Sequence, residues 1–373
     1  MSIMLYLDNA ATTVRKPRSV YEAVIRAMVS GSGNAGRGAN KLSIGSVKTI
    51  IEAQEAAAEL FNVKNENNII FTQNATYALN MVILGTLGAK DNVLITQMEH
   101  NSVLRPAVLH GNYTIAAADK YGYVHPSEFR KRIGDHTKLT VCTHISNVCG
   151  TKQPVNDAAK AAHNAGALFM ADCSQSAGAE TVDMEKMDAD FIACAGHKGL
   201  MGPMGTGILC IRDPDKIRAV ITGGTGSDSQ SLKQPEYMPD KFHSGTMNIP
   251  AIAGLKEGIR FVLREGAENI GSYEKMLSRA LREKLENMRG VRVYGKSDSG
   301  ITAFGVDGYG SEAIGELLGE NIIVRCGYHC APLAHKALGT YDGGLVRVSF
   351  GYFNRRRDVC DFADALYKIL KNI

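Results

Sequence analysis

The sequence predicts an α/β protein whose central sheet is largely parallel. Short apolar runs alternate with stretches of helical composition between residues 69 and 211. The runs fall at 69–71, 93–95, 139–141, 168–170 and 191–193, with helices expected between them, for example at 76–87 and 156–165. Strands that alternate with helices favour parallel sheets covered on both faces. Ligands bind such sheets at the carboxyl ends of the strands, so we expect the functional site there.

The sequence before residue 69 contains a short apolar run and predicts two helices and a loop. Residues 5–13 begin apolar and end in small polar side chains. Pro17 favours a helix at 19–28, since proline is well tolerated in the first helical turn. The segment 31–38 is too rich in glycine for regular structure, and 43–63 has apolar residues at helical spacing.

After the block, the pattern predicts longer connections and a second unit. A further apolar run at 208–211 follows a glycine-rich turn, and a loop is expected at 223–231. A long helical stretch runs from 252 to about 288, with Gly266 and Gly271 as candidate interruptions. The shorter strands and helices of 291–373 predict a second, smaller α+β domain.

Composition excludes several classes of protein. The chain has 373 residues, 45% of them hydrophobic and 21% charged, with a formal net charge of +4. This small charge favours neither a nucleic-acid partner nor a membrane surface. The first residues lack the features of a signal peptide, so we expect a cytoplasmic protein whose eight cysteines are thiols. Their spacing does not suit a structural metal site, and no metal is expected.

Two residues at the ends of apolar runs predict the chemistry. Lys198 follows the run 191–195, and Asp172 ends the run 168–172. A surface lysine is an equally good interpretation of Lys198 by itself. Together, however, a lysine amine and a strand-end carboxylate suit pyridoxal phosphate. The amine bonds to the cofactor aldehyde as a Schiff base, and the carboxylate keeps the pyridine nitrogen protonated.

Other predicted strand ends add polar groups that suit the same site. Ala75 and Thr76 open a helix, where backbone N–H groups and a hydroxyl suit a phosphate, although an ordinary N-cap threonine is the better interpretation of this motif by itself. His100 suits stacking on the face of a ring. Gln175 can bind a ring hydroxyl, and Asn147 follows a neighbouring strand.

The tail supplies a candidate nucleophile, Cys330. It lies in a loop flanked by glycine and proline, adjoins His329 and has Arg325 close by; adjacent cationic groups favour a thiolate. Arg347 is a charge inside an apolar run and needs an anionic partner if buried. That partner is either a substrate carboxylate or an internal salt bridge. Among the other thiols, Cys142, Cys194 and Cys210 suit buried, inert positions because they lie inside apolar runs. Cys326 is ambiguous.

Together these motifs resemble one known family, the class V aminotransferase-like pyridoxal phosphate enzymes of fold type I. Within it, the cysteine desulfurase and selenocysteine lyase branch is most similar. The segments that carry the resemblance are 99–101, 146–151, 196–198 and 325–331, and it extends from 6–12 to 347–349. The short spacing from Cys330 to Arg347 resembles the Suf-type branch, which has a compact cysteine loop.

The resemblance implies a fold and a domain division. The fold is a large domain with a mainly parallel seven-stranded sheet between helices, plus a small α+β domain. The large, cofactor-binding domain would comprise 16–250. The small domain would comprise 1–15 and 251–373, and would carry the reactive cysteine and the substrate-binding arginine.

The resemblance also implies roles for the cofactor-binding residues. Lys198 would form the Schiff base, and Asp172 would contact the pyridine nitrogen. The other implied cofactor contacts are Ala75, Thr76 and His197 at the phosphate, His100 on the ring face, and Asn147 and Gln175 beside the ring. Thr246 would reach the phosphate of a neighbouring subunit, which implies a homodimer with shared active sites.

For the substrate, the resemblance implies conversion of L-cysteine to L-alanine. Arg347 would hold the substrate carboxylate, with Arg325, Asn147 and Ala10 as further contacts. Lys198 and His100 would move protons, and Cys330 would take the sulfur as a persulfide for a later sulfur-acceptor protein. Iron–sulfur cluster assembly is the expected pathway, with tRNA thiolation and selenium recycling as alternatives.

Three other activities share this fold and stay open. One is a selenocysteine lyase and another a lyase acting on cysteine conjugates. The third is a class V aminotransferase, which does not need Cys330. Cys173 and the pair Gln73 and Asn74 replace the small residues usual in the family, so the substrate is less firmly indicated than the cofactor.

Overall fold

A computed structural model describes residues 4–35, 40–296 and 298–372. Its largest sheet has seven strands in the order β2-β8-β7-β6-β5-β3-β4. The strands are β2 (Ile69–Thr72), β3 (Asn92–Thr96), β4 (Tyr113–Ala116), β5 (Thr137–Thr143), β6 (Leu168–Asp172), β7 (Phe191–Ala195) and β8 (Gly207–Ile211). All pairings are parallel except those of β8 with β2 and β7. The predicted α/β class and mainly parallel seven-stranded sheet are confirmed.

Alternation along the strands explains why both faces of this sheet are covered. In β7, Ile192 and Cys194 belong to one buried apolar cluster, whereas Phe191 and Ala193 belong to another. Successive side chains of a strand point to opposite faces, so each strand contributes to two cores. β8 runs antiparallel because the connection 196–206 contains no helix that could return the chain for a parallel pairing.

Eleven α-helices lie in the described parts of the chain. They are α1 (Arg18–Val29), α2 (Lys41–Phe61), α3 (Ala75–Thr86), α4 (Asn101–His110), α5 (Pro126–Arg132), α6 (Val155–Asn164), α7 (Ile249–Glu265), α8 (Ala267–Glu286), α9 (Ser311–Leu318), α10 (Pro332–Leu338) and α11 (Arg356–Leu370). The long helical stretch breaks at Gly266, whose φ of 82° lies outside the helical region, whereas Gly271 lies inside α8. None of the described helices combines the length and apolar character needed to cross a membrane.

The second unit is built on an antiparallel sheet in the order β12-β13-β10-β9. Its strands are β9 (Val291–Tyr294), β10 (Ile301–Val306), β12 (Arg325–Gly327) and β13 (Leu345–Ser349). The N-terminal strand β1 (Leu5–Tyr6) pairs in parallel with β11 (Ile322–Ile323). Leu7 is buried in the same cluster as Phe304 and Val348 of this sheet.

The structure adds detail to the predicted organisation. β4 was not predicted, because 113–116 is an edge strand whose first three residues keep partial exposure. Part of the predicted glycine-rich loop, 36–39, lies outside the described residues. The predicted domain boundary near residue 250 falls inside α7, which packs against α1 and α2. The division into 16–250 and the two flanking segments stays a prediction.

Candidate active site

The predicted site residues converge on one cavity of about 260 Å³. Its lining comes from strand ends of the seven-stranded sheet, from the N-terminal segment and from the four-stranded sheet. The predicted residues that line it are Ala10, Ala75, Thr76, His100, Asn147, Asp172, Gln175, His197, Lys198, Arg325, Cys330 and Arg347. Thr246 does not line it and instead borders a separate cavity beside His243 and Met247.

Lys198 lies in the connection after β7, in a backbone held by close packing. A Cβ on Gly196 would lie 2.2 Å from Thr206 Oγ1, so only glycine fits two residues before the lysine. Removal from water lowers the pKa of the Lys198 ammonium to about 8, while the nearby Asp172 carboxylate opposes this shift. Neutral amine, which a nucleophile or a base requires, is therefore far more abundant near neutral pH than it is for an ordinary lysine.

Asp172 ends β6 and is almost fully buried. Its Oδ1 accepts hydrogen bonds from the backbone N–H of Ser174 at 2.9 Å and from the Ser174 hydroxyl at 2.5 Å. Within the described residues, Oδ2 carries no hydrogen bond. The carboxylate is thus oriented through one oxygen and retains acceptor capacity on the other, as a partner for a protonated ring nitrogen must.

The N-terminus of α3 forms a cradle suited to an anion. Asn74 caps this helix, since its side chain accepts a hydrogen bond from Tyr77 N at 3.1 Å. The next residues therefore present free N–H groups at the positive end of the helix. Thr76 Oγ1 lies 2.8 Å from Ser102 Oγ, which places a second hydroxyl beside the cradle. These groups suit the phosphate that the sequence predicted here.

His197 lines the cavity near this cradle, and Lys16 contacts it. Burial, together with the positive charges of Lys198 and Lys16, lowers the pKa of His197 to about 4. Its Nδ1 lies 3.0 Å from Thr12 Oγ1. Lys16 donates to the carbonyl of His197 at 2.8 Å, and burial lowers its own pKa to about 8. His197 is therefore a neutral hydrogen-bonding group at physiological pH.

Glu99 and His100 directly precede α4. His100 is the N-cap of this helix, and its Nδ1 accepts from Ser102 N at 3.1 Å, so the imidazole orientation is fixed. Burial also lowers the pKa of His100. Glu99 is fully buried, and burial raises its pKa to about 8, with the charge of Asp172 adding to the shift. Glu99 therefore holds a proton at neutral pH.

Arg347 lies in β13 and is buried against an internal partner. Its Nη2 donates to Asp8 Oδ1 at 2.7 Å and its Nη1 donates to the carbonyl of Asn147 at 2.8 Å. The internal salt bridge that the sequence left as an alternative is therefore present. Arg347 Nε is buried and has no hydrogen-bond partner within the described residues. Capacity for a second anion thus exists on the same guanidinium.

Cys330 is exposed and lines the cavity, in the loop between β12 and α10. The neighbouring His329 is buried, and this lowers its pKa far below its usual range. The expectation that His329 adds positive charge beside Cys330 is therefore wrong, because a buried imidazole stays neutral. Arg325 and Lys198 are the cations that line the cavity together with Cys330 and are not buried in a salt bridge.

All the other thiols except Cys360 are less exposed than Cys330. Burial raises the pKa of Cys326 to about 11, which resolves its ambiguity in favour of an inert thiol. Cys173, directly after Asp172, is fully buried with a pKa of about 12. As expected, the thiols within the large sheet are buried as well: Cys142, Cys194 and Cys210. Cys360 is exposed but lies on α11, away from the cavity lining.

Gln175 and Ala10 are brought together at the cavity. Gln175 Nε2 donates to the Ala10 carbonyl at 3.0 Å, so the amide oxygen stays available as an acceptor. Sequence reasoning assigned no role to Asp8 or Ser102, although both contact predicted site residues. Ser102 was within reach of prediction, because a residue two positions after an N-cap commonly contacts it. Asp8 gave no signal beyond its place in a motif.

Comparison with known proteins agrees with this geometry. Residues 5–362 match the family model of aminotransferase class V, and the chain belongs to this family. A relative from Methanothermobacter thermautotrophicus, named a probable cysteine desulfurase, is 33% identical, over 98% of this chain and 94% of the relative. The predicted family is therefore confirmed.

Solved structures give the same result for the fold. The apo structure of a cysteine desulfurase from Thermococcus onnurineus NA1 aligns with a TM-score of 0.92 and 31% identity, covering 99% of this chain and 95% of that one. The cysteine desulfurase CsdA of Escherichia coli aligns with a TM-score of 0.89 and 25% identity, over 99% of this chain and 95% of that one. The predicted fold type is confirmed along nearly the whole chain.

Proposed function

We propose that this protein is a pyridoxal phosphate-dependent cysteine desulfurase, which converts L-cysteine to L-alanine and takes the sulfur onto Cys330. One observation carries the proposal: a single cavity is lined by Lys198, Asp172 and an exposed thiol. Lysine and aspartate are the pair that pyridoxal phosphate chemistry needs, and the thiol is what sulfur transfer adds to it. The names of its relatives support the same activity.

The residues present fit the cofactor. The N-terminus of α3, with Thr76 and Ser102, offers donors for a phosphate, and neutral His197 adds another group. Asp172 offers an oriented carboxylate for the pyridine nitrogen, and Lys198 offers an amine with a lowered pKa. When bound, the cofactor supplies an electron sink for charge that develops at the substrate α-carbon.

The chain's own residues would perform the remaining steps. Arg347, through its unpartnered Nε, and the exposed Arg325 would bind the carboxylate of L-cysteine. Lys198 Nζ would remove the α-proton and later return a proton to carbon. The Cys330 thiolate would attack the substrate sulfur, so an S–S bond forms as the C–S bond breaks. The products are L-alanine and a persulfide on Cys330, and no external oxidant is needed.

Selenocysteine is the second candidate substrate, because selenium occupies the same position as sulfur. The aminotransferase alternative is less well supported, since that activity does not need an exposed thiol in the cavity. A lyase for cysteine conjugates also leaves Cys330 without a role. We therefore place the desulfurase first and selenocysteine lyase second.

The proposal includes a homodimer whose two active sites are shared. Helices α1 and α2 expose an apolar surface that a second copy can cover, formed by Ile25, Met28, Val29, Ile44 and Ile51. Thr246 does not line the active-site cavity of its own subunit, as expected of a residue that contacts the phosphate of the neighbouring subunit. A sulfur-acceptor protein, a cytoplasmic location and a role in iron–sulfur cluster assembly stay predictions.

Alanine formation from L-cysteine with a thiol reductant tests the proposal. The wild type is compared with Cys330→Ala, and Cys360→Ala is the matched control because Cys360 is exposed but remote from the cavity. We expect alanine from the wild type and the control, and a large loss in Cys330→Ala. Equal activity in all three removes Cys330 from the mechanism, and pyruvate in place of alanine indicates β-elimination instead.

A further inference from the structure

The loop that carries Cys330 has a strained backbone. His329 and Cys330 have φ angles of 50° and 56°, in the left-handed region that residues other than glycine rarely adopt. Two such residues in succession persist only where surrounding contacts impose the conformation. The orientation of the Cys330 thiol therefore depends on the contacts that hold this loop.

Two hydrogen bonds hold the backbone of the loop from the side of the large sheet. Asn147 Nδ2 donates to the His329 carbonyl at 2.6 Å, and the Asn101 N–H donates to the Cys330 carbonyl at 2.7 Å. A third, from Ala331 N to the Tyr328 carbonyl at 2.9 Å, closes the turn itself. These contacts fix three carbonyl groups but leave the His329 ring to be held separately.

The His329 ring is held by a chain of side chains on the other side of the loop. His329 Nε2 lies 3.3 Å from the Arg325 carbonyl, and His329 Nδ1 lies 3.4 Å from His335 Nε2. The two imidazoles stack with centroids 5.6 Å apart and planes 12° from parallel. His335 Nδ1 in turn lies 2.8 Å from Thr340 Oγ1. His335 is fully buried and does not line the cavity.

The direction of this chain follows from neutrality. Burial lowers the pKa of both His329 and His335, so each ring carries one N–H at neutral pH. A carbonyl only accepts, so His329 Nε2 carries the proton and His329 Nδ1 is an acceptor. His335 Nε2–H therefore donates to His329, and His335 Nδ1 accepts from the Thr340 hydroxyl. Every ring nitrogen in the chain then has a matched partner.

We propose that His335 is a positioning residue for Cys330, acting through His329 to hold the reactive loop in its left-handed conformation. The inference rests on the proposed function, in which Cys330 accepts sulfur. His335 occupies the middle of the chain, so its loss frees the His329 ring and weakens the turn that aims the thiol. Thr340 sets the orientation of His335 and has a smaller part in the same arrangement.

Two variants separate this role from general packing. In His335→Gln the side-chain amide keeps an N–H near the position of Nε2, whereas His335→Asn keeps a polar atom only near Nδ1. We compare kcat and KM for alanine formation, and amide hydrogen exchange at Asn101 and Ala331 in the holoenzyme. In His335→Asn we expect kcat to fall about 10- to 100-fold, since misplacement of a reacting group by about 1 Å has this effect. We expect KM to stay within about twofold of the wild type, because the substrate-binding arginines are unchanged.

Exchange at Asn101 and Ala331 should become faster in His335→Asn, and His335→Gln should restore both kcat and protection. Similar behaviour of the two variants overturns the proposal, as does faster exchange spread evenly over the four-stranded sheet. Should both variants fail to fold, Thr340→Val with Thr340→Ser as its control decides. Faster exchange at the same two amides in Thr340→Val alone supports the chain, and no difference overturns it.

The exchange measurement does not depend on turnover, so two failures can be distinguished. A wild type that makes no alanine contradicts the proposed function alone, while the exchange pattern still tests the loop. An active wild type, with His335→Asn indistinguishable from His335→Gln, contradicts only the inference about His335.

Discussion

The two sheets contribute to the cavity in different ways. In the seven-stranded sheet, functional groups follow the carboxyl ends of buried strands, as Asp172 does at β6 and Lys198 after β7. In the four-stranded sheet, Arg347 lies inside β13 and Cys330 lies on a strained loop. The first arrangement is complete within one sheet. The second depends on contacts with other segments, because Asp8 of the N-terminal segment pairs with Arg347 and Asn147 of the large sheet's side holds the loop.

The two arrangements suit two different functions, the binding of a cofactor and the binding of a substrate. Groups at the ends of buried strands are preorganised by the fold, which suits a cofactor that stays bound through many turnovers. Groups that would contact the substrate are held by contacts between separate segments of the chain, so their geometry changes if either segment shifts. Substitutions in the large sheet should therefore act on cofactor chemistry. Substitutions at the contacts of Asp8 and Asn147 should lower the stability of the fold and change the positions of Arg347 and Cys330.

Replacing the lysine should have the largest effect. In Lys198→Ala, we expect activity to fall by more than about a thousandfold, because the amine that we propose bonds the cofactor and moves the proton is lost. Mass spectrometry after borohydride reduction should show no covalently attached pyridoxal phosphate. Lys16→Ala is the matched control, since Lys16 lies beside His197 and has a similarly lowered pKa. Covalent attachment that persists in Lys198→Ala contradicts the assignment.

Replacing the strand-end carboxylate should have the next largest effect. In Asp172→Asn, we expect a loss of activity on the order of 10², as for other electrostatic groups in active sites. Asp172 raises the pKa of Lys198, so its removal should move that pKa below about 8. The pH profile of the cofactor-free amine, followed by chemical modification, checks the direction. Ser174→Ala keeps the charge and should leave the profile close to that of the wild type; an equal shift there is evidence against Asp172 as the source.

Breaking the buried ion pair of the N-terminal segment with β13 should lower stability. In Asp8→Asn, the buried guanidinium of Arg347 loses its charged partner, which costs about 3 kcal/mol or more in the free energy of unfolding. Urea denaturation measures this loss. The double variant Asp8→Asn with Arg347→Met should recover part of it, because no unpaired charge then stays buried. If Asp8→Asn is as stable as the wild type, the pair does not stabilise the attachment of the N-terminal segment to β13.

Two buried carboxyl groups, Glu99 in the large unit and Glu274 on α8, should make the stability depend on pH. Burial raises both pKa values from 4.5 to about 8. Between these values the folded protein binds more protons than the unfolded chain, so each group makes stability fall as pH rises from about 4.5 to about 8.

The Glu99→Gln and Glu274→Gln variants lack this dependence. Their free energy of unfolding, relative to the wild type, should therefore rise across the same window and stay constant above it. Urea denaturation at both ends of the window measures the change. A flat difference in either variant shows that its carboxyl group does not hold a proton in the folded protein.

The sequence predicted the large sheet and its polar strand ends well, because alternation and strand-end chemistry are local patterns. Asp172 and Lys198 could be identified in this way. β4 was missed because an edge strand carries polar and partly exposed residues that weaken the apolar signal. The break at Gly266 was one of two candidates, and only the packing of α8 decides between them.

The parts that could not be predicted depend on burial or on distant partners. The neutral state of His329 follows from its burial, which a neighbouring cysteine and arginine in the sequence do not indicate. Asp8 and Arg347 are separated by 339 positions, and no local pattern pairs them. In the sequence, His335 is likewise indistinguishable from an ordinary helix residue. Only the structure shows that its ring stacks on His329.

The pairing of Asp8 with Arg347 has a consequence for how the protein is made. Asp8 leaves the ribosome 339 residues ahead of its partner. At synthesis rates of about 5 to 20 residues per second, this delay lasts roughly 20 to 70 s. The seven-stranded sheet is synthesised entirely within that interval, while Asp8 still faces water. The Arg347 side of the cavity therefore forms only after the whole seven-stranded sheet has been synthesised, so a nascent chain can contain the complete sheet before it contains a complete cavity.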